Sequence, residues 1–200
     1  ASMGDETGRQ AVEFLQEIGQ YFNEGFGATD YATAQSMFLD GKSAMYYIGD
    51  WEQAAMLEAY NAGKVDYFYL PTAEGAKTGA NEFCVNSGIG MAFNTQTFDA
   101  KTKDFIKYVI ENYGKLYAAK QQMSPIRTEL SDEVEYSDLY LKIQDDMQKT
   151  GENFLKPWDT YLDSNTNTVM QDNLLLLASG DLTVDEFCRL VDDSVAENVN

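Results

Sequence analysis

Apolar residues recur every three or four positions along much of the chain, which is the spacing that places them on one face of an α-helix. The first such segment ends near Gly25, and a later one begins after Asp99 and is expected to end at Gly114. The expected buried stripes are Phe14, Leu15, Ile18 and Phe22 in the first helix, and Phe105, Ile106, Val109, Ile110 and Tyr113 in the second.

Capping and stop signals predict the remaining helices. Asp30 opens a short helix that ends near Gly41, and Asp50 caps another, with Gln53 at the reciprocal position of a capping box. A short helix over 115–123 stops before Pro125, because the residue before a proline resists helical geometry. Further helices are expected over 131–149, from about Val169 to Gly180, and after the capping box formed by Thr183 and Glu186.

Three short segments, 43–48, 65–70 and 87–94, are rich in aromatic and β-branched residues and are predicted to be strands. They have no obvious partners within these 200 residues that would complete a doubly wound sheet. The pattern therefore indicates a helix-rich portion of a larger α/β protein.

Acidic side chains dominate the charge: 33 Asp and Glu against 14 Lys and Arg give a net charge of −19. Such a surface repels nucleic-acid phosphates and anionic lipid, so neither is an expected partner. No apolar run approaches the ~20 residues that span a bilayer. The chain shows no signal peptide and its Ala-Ser-Met-Gly start resembles a cut edge, so any targeting segment is expected upstream.

The chain contains no histidine, which removes Ser-His-Asp and Cys-His nucleophile systems and histidine-ligated zinc. Carboxylate pairs remain available for catalysis, but no spacing singles one out. A binding module without cofactor or metal is therefore favoured over an enzyme. Cys84 and Cys188 each lie in an apolar run, and buried free thiols are favoured, although the sequence leaves their pairing open.

One stretch carries a resemblance to a known family. Residues 38–51, Phe-Leu-Asp-Gly-Lys-Ser-Ala-Met-Tyr-Tyr-Ile-Gly-Asp-Trp, resemble the F-x-x-G-K-x-A-M-x-x-x-G-x-W segment of family 1 extracellular solute-binding proteins of ABC transporters, the group that includes maltose-binding protein. LPTAEGAKTGANEF, SGIGMAFN and LASGDLTVDEF are similar to later segments of that family and fall in the same order.

The resemblance implies the C-terminal portion of a two-lobed, periplasmic-binding-protein-like (type II) fold. Residues 1–85 and 134–200 would belong to the C-terminal lobe, and residues 86–133 to a returning segment of the N-terminal lobe with its hinge crossings. Such a protein binds a mono- or oligosaccharide between its lobes and delivers it to permease subunits in the membrane. Its expected location is extracellular, anchored as a lipoprotein, or periplasmic. Because the site lies between lobes, these 200 residues alone are expected to bind poorly.

The resemblance also changes the interpretation of Trp51. A tryptophan at a strand–helix junction is by itself more typical of a core, whereas the tryptophan of this motif stacks on sugar in the family. A second set of ligand contacts is expected in the region 156–167, where an ordinary helix-capping loop is the alternative. The candidates there are Trp158, Tyr161, Asp163 and Asn167.

Two further candidates are weaker. Asp163, Asn165 and Asn167 have the spacing of a calcium loop, but Thr168 and Leu174 replace the glycine and glutamate that the loop requires, so no metal is expected. Asn86, Ser87 and Gly88 lie at the expected lobe crossing, where a hinge role is favoured over hydrogen bonding to a ligand. A structural or adhesive surface protein that keeps the fold without a ligand remains the alternative function.

Overall fold

The computed structural model describes residues 2–71, 83–84, 90–124, 129–149 and 154–198. Helices dominate, as the sequence pattern predicts. The α-helices are α1 (Glu6–Gly19), α2 (Tyr31–Leu39), α3 (Gln53–Asn61), α4 (Ala100–Ala119), α5 (Asp138–Lys149), α6 (Ser164–Ser179) and α7 (Val184–Asn198). Three 3₁₀ turns cover Phe26–Ala28, Asp50–Glu52 and Trp158–Tyr161, and the strands are β1 (Phe83–Cys84) and β2 (Phe154–Leu155).

The chain forms two compact units, Ala1–Ala44 with Pro157–Asn200, and Met45–Lys156. We call them the terminal unit and the central unit. These are regions of dense internal packing, and the lobe boundaries given above remain a prediction.

In the terminal unit, α1, α6 and α7 pack around one apolar core. Its buried members are Val12, Met170, Leu177, Phe187, Cys188 and Val191. The close approach of α1 to α6 depends on Gly19, because a Cβ there would collide with the backbone of Ala178. Gly180 ends α6 in the left-handed conformation, at φ 82°.

Aspartate caps start four of these helices. Asp5, Asp30, Asp99 and Asp163 each accept a backbone N–H from the first turn of the helix that follows. The predicted capping box before α7 is confirmed, since Thr183 N donates to Glu186 Oε2 at 3.1 Å and Glu186 N to Thr183 Oγ1 at 3.2 Å.

In the central unit, α3 packs against α5, and the segment 65–70 is tied to α5 by polar side chains. Tyr67 Oη donates to Asp146 Oδ2 at 2.6 Å, and Lys142 Nζ donates to Asp66 Oδ1 at 2.9 Å. The two strands pair in parallel, with Phe83 opposite Phe154 and Cys84 opposite Leu155.

The strand predictions at 43–48 and 65–70 are wrong in this structure, because neither segment forms a ladder. Along 65–70, half-buried and exposed residues still alternate strictly, which is the period of a strand with one covered face. The part of 87–94 that the structure describes, 90–94, is also without a strand. A strand needs a hydrogen-bonding neighbour, which sequence composition does not supply.

Several helix limits also differ from the expected ones. Helix α1 ends at Gly19, six positions before Gly25; α4 runs through the buried Gly114 to Ala119; and α5 begins only at Asp138. Helix α6 begins at Ser164, five residues before the start expected near Val169. Residues 115–119 continue α4 past Gly114 and include Leu116, Ala118 and Ala119, which have high helix propensity. Extending a helix that is already formed costs less free energy than starting a new one.

Some residues expected in the core are exposed. Phe14 is 56% exposed and Phe105 is 66% exposed, and Phe22 and Ile110 are also exposed. In α1 the buried face consists of Val12 and Gly19, because the short side chains allow close packing on α6 and α7. Cys84, expected to be buried, is exposed on a two-residue strand, while Cys188 is buried in the core; both are free thiols.

Candidate functional site

Trp51 lies in the middle of the 3₁₀ turn Asp50–Glu52, directly before α3. Its side chain is 58% exposed, so the indole is not a core residue. The six-membered ring of the indole lies against Gly49, where a Cβ would overlap with it. Glycine at position 49 therefore leaves the space that the indole ring occupies, while more than half of the Trp51 surface stays exposed.

The predicted capping box at the start of α3 is wrong. Glu52 occupies the N-cap position of α3 and makes no side-chain capping hydrogen bond, and the N-cap of the preceding turn is Gly49. The Gln53 amide is instead buried, and neither Nε2 nor Oε1 has a hydrogen-bond partner among the described residues. The reason is the extra 3₁₀ turn, which moves Asp50 away from the cap position.

Asp50 is half-buried beside Trp51. Burial raises the pKa of its carboxyl above the ordinary aspartate value, and hydrogen bonds from the backbone N–H groups of Asp50 and Trp51 oppose that rise. The turn thus carries a partly desolvated carboxyl and an exposed indole on successive residues. A sugar offers apolar C–H faces and hydroxyl groups, so it can use both kinds of group.

Gln122, two residues after Lys120, the C-cap of α4, contacts the same turn. Its side-chain Nε2 donates to the backbone carbonyl of Trp51 at 3.3 Å. This contact lies within the central unit and connects two segments that are 71 positions apart in sequence. Sequence reasoning missed Gln122, since nothing in the spacing of polar residues singles it out.

The second group of candidates lies in the terminal unit. Trp158 and Tyr161 form the ends of a 3₁₀ turn and are 41% and 73% exposed. Asp163 caps α6: its Oδ1 accepts from the N–H groups of Asn165 at 2.9 Å and Thr166 at 3.0 Å. Asn167 Oδ1 accepts from Gln171 Nε2 at 3.0 Å. Asp163 and Asn167 therefore have structural partners, and a ligand role for any of the four remains a prediction.

The Asp163 carboxylate belongs to a short polar network. Its Oδ2 accepts from Thr166 Oγ1 at 2.6 Å, and that hydroxyl lies 3.0 Å from Ser194 Oγ on α7. The hydrogen bonds from the Thr166 hydroxyl and backbone hold the pKa of Asp163 below its ordinary value. Within the described part of the chain, no group of three or more metal-ligating side chains is present, here or elsewhere.

The structure places Trp51 in the central unit and Trp158, Tyr161, Asp163 and Asn167 in the terminal unit. The hinge candidates Asn86, Ser87 and Gly88 lie outside the described residues. A hollow of about 570 Å³ in the central unit is lined by Tyr60, Asn61, Gly63, Lys64, Val65, Asp66 and Asp138. Trp51 does not line it.

A polar cluster that the sequence analysis did not identify lies beside that hollow. Lys142 Nζ lies 4.4 Å from the centre of the Tyr67 ring and also donates a hydrogen bond to Asp66 Oδ1. Burial, followed by the hydrogen bond to Asp146, raises the pKa of Tyr67, and the same hydrogen bond lowers the pKa of Asp146. The sequence carries no matching signal, because the alternation along 65–70 is one of burial and two of its exposed positions, Phe68 and Leu70, are apolar.

The helix-rich units and the exposed tryptophan turn fit part of an extracellular solute-binding protein. Comparison with protein families supports this: the model described as bacterial extracellular solute-binding protein matches residues 2–142. The chain therefore belongs to that family. Over the described residues, the helices are all too short or too polar to cross a membrane.

The chain is also similar to individual curated proteins. A probable sugar-binding periplasmic protein of Brucella suis biovar 1 (strain 1330) is 27% identical over 79 residues, which are 38% of this chain and 19% of the relative. One of the same description from Rhizobium meliloti (strain 1021) is 22% identical over 80 residues, 39% of this chain and 19% of the relative. The match thus spans about a fifth of these relatives.

Proposed function

We propose that this chain is part of an extracellular receptor that binds a mono- or oligosaccharide between two lobes and delivers it to an ABC permease. The observation that carries the proposal is Trp51, whose indole lies against Gly49 in a 3₁₀ turn and is more than half exposed. It gains its meaning from the family to which the chain belongs, that of extracellular solute-binding proteins. The names of the relatives, which are sugar-binding periplasmic proteins, support a carbohydrate as the ligand class. Anchoring as a lipoprotein and docking on permease subunits are part of the same proposal.

Trp51 would supply a flat apolar face for the C–H groups of a pyranose ring. Asp50, whose carboxyl is partly withdrawn from water, would accept hydrogen bonds from ligand hydroxyls near that face. Trp158, Tyr161, Asp163 and Asn167 are proposed as further ligand contacts. No catalytic step is proposed, since the chain lacks histidine and the site offers one desolvated carboxyl rather than an acid–base pair.

Calorimetry on the full-length protein that carries this chain tests the proposal, after a thermal-shift screen of sugars, amino acids and peptides. Trp51→Ala is expected to weaken sugar affinity by about 1–3 kcal/mol, the range for losing a large aromatic contact face. Folding stability is expected to change much less, because the ring is 58% exposed.

The matched control is Tyr21→Ala, which removes another exposed aromatic ring, at the end of α1. Its sugar affinity is expected to equal that of the unmodified protein. A wild-type protein that binds no sugar in the screen would favour a surface protein that keeps the fold without a ligand. Binding that Trp51→Ala leaves unchanged would remove Trp51 from the site, and turnover of a chromogenic glycoside would contradict a pure binding role.

A further inference from the structure

The turn that carries Trp51 has no side-chain cap of its own. Gly49 precedes it without a side chain, and Glu52, at the N-cap position of α3, makes no capping hydrogen bond. A 3₁₀ turn has poorer hydrogen-bond geometry than an α-helix, so an uncapped one needs support from elsewhere to hold a fixed conformation. An aromatic ring that stacks on a ligand loses affinity if its backbone is free to move.

One such support, among the contacts that the structure describes, comes from the residues that follow α4. Gln122 Nε2 donates to the carbonyl of Trp51 at 3.3 Å, and Gln122 N donates to the carbonyl of Tyr117 at 3.0 Å, which fixes Gln122 to the last turn of α4. Gln122, whose side chain bonds the turn that carries Trp51, is thus anchored through its own backbone to a 20-residue helix.

Gln121 sets the direction of the backbone where the chain leaves α4. Among the described residues other than glycine, only Gln121 has a positive φ, 60°, a left-handed conformation that an L-residue adopts at a cost. Its side chain bonds twice to a neighbouring backbone: Nε2 donates to the Glu135 carbonyl at 3.1 Å, and Oε1 accepts from Ser137 N at 2.8 Å. Two such bonds from one amide hold the chain in the unfavourable conformation that points Gln122 toward Trp51.

We propose that Gln121 and Gln122 are positioning residues for the Trp51 platform: Gln122 holds the turn by its carbonyl, and Gln121 holds Gln122. The inference rests on the proposed function for its effect on sugar affinity, but the placement of Trp51 can be tested without a ligand. Neither glutamine is assigned contact with the sugar.

The central experiment replaces Gln122 with Met, which keeps the length of the side chain and removes its N–H donor, and with Arg, which restores N–H donors. Acrylamide quenching of tryptophan emission is measured on these 200 residues in a Trp158→Phe background, where Trp51 is the one tryptophan left. It is expected to increase by about 1.5-fold or more in Gln122→Met, because an untethered turn exposes the ring further. Sugar affinity, measured without the Trp158 change, is expected to fall about 2–10-fold, the loss of one ordinary hydrogen bond. Gln122→Arg is expected to restore both values.

Two further variants isolate the cause. Gln121→Gly keeps the left-handed backbone accessible and removes the two side-chain bonds, so it is expected to raise Trp51 quenching as Gln122→Met does. Gln148→Met, on an exposed position of α5, is the matched control and is expected to change neither quenching nor affinity.

The outcomes separate the two proposals. Unchanged Trp51 quenching in Gln122→Met overturns the positioning role, whatever happens to affinity. A large loss of melting temperature that Gln122→Arg does not reverse also overturns it, since that result indicates a general structural role. A wild-type protein that binds no sugar overturns the proposed function, while increased quenching with rescue by Arg still supports the positioning of Trp51.

Discussion

The carboxamide of Gln53 is the clearest anomaly at the scale of single residues. It is buried at the start of α3, and neither its nitrogen nor its oxygen has a partner among the described residues. A buried polar group without a hydrogen bond costs about 1–3 kcal/mol relative to one that is paired. The sequence placed Gln53 in a capping box with Asp50, and the intervening 3₁₀ turn removed that partner.

We therefore expect Gln53→Met, which keeps the side-chain length and removes the amide, to raise the free energy of unfolding by about 1–2 kcal/mol. Urea unfolding followed by circular dichroism measures it. Gln148→Met, on an exposed surface of α5, is the control and should stay within about 0.5 kcal/mol of the wild type. A lower stability in Gln53→Met would show that the amide is paired in solution.

At the scale of elements, the start of α6 depends on Asp163. Its carboxylate accepts from two backbone N–H groups and from the Thr166 hydroxyl, and the last of these contacts Ser194 on α7. Thr166 is completely buried, so this network lies where α6 and α7 meet. The capping interaction therefore fixes both the first turn of α6 and its packing.

These contacts give a pH dependence with a defined sign. The folded-state pKa of Asp163 lies below the ordinary value of 3.8, first because of the Thr166 hydrogen bond, so the folded state holds the proton less tightly than the unfolded chain does. The stabilisation is fully present above that ordinary value and is lost as the pH falls through the lower folded value. We expect Asp163→Asn to lower the melting temperature at neutral pH and to approach the wild type as the pH falls from about 4 to about 2.

Melting temperatures of the two proteins across that range measure the effect. Asp181→Asn is a suitable control, because that carboxylate follows α6 and its Oδ2 accepts only from the nearby Ser179 hydroxyl in the contacts described. A difference between Asp163→Asn and wild type that stays constant down to about pH 2 would contradict the assignment of the pKa shift to the cap.

At the scale of the whole molecule, the terminal unit is held by a small apolar core of α1, α6 and α7. Phe187, fully buried on α7, is its largest member, and Leu177 and Val12 complete the contact between the three helices. Phe187→Ala is expected to lower the free energy of unfolding by about 3–5 kcal/mol, since it removes a large apolar side chain and leaves a cavity.

Phe14→Ala is the matched comparison, because that phenylalanine lies on α1 and is 56% exposed. It is expected to cost less than about 1 kcal/mol. Denaturant unfolding of both variants tests the pair, and a larger loss in Phe14→Ala than in Phe187→Ala would reverse the assignment of the core.

The sequence by itself determined the local features. The caps Asp30 before α2 and Asp99 before α4, the capping box of Thr183 with Glu186, and the stop at Gly180 all depend on contacts within a few residues, so their residue types are sufficient to predict them. The family was also available from sequence, because the motif at 38–51 is contiguous.

Only the tertiary structure decided which faces are buried and what holds the candidate site. The bulky aromatic residues Phe14 and Phe105 were predicted to be buried, and both are exposed. Helix α1 packs instead through Val12 and Gly19, because a helix can approach another closely only where its side chains are small. The strands predicted at 43–48 and 65–70 needed partners that composition cannot provide. The contact of Gln122 with Trp51 joins positions 71 residues apart, so it depends on the path of the folded chain rather than on any local pattern.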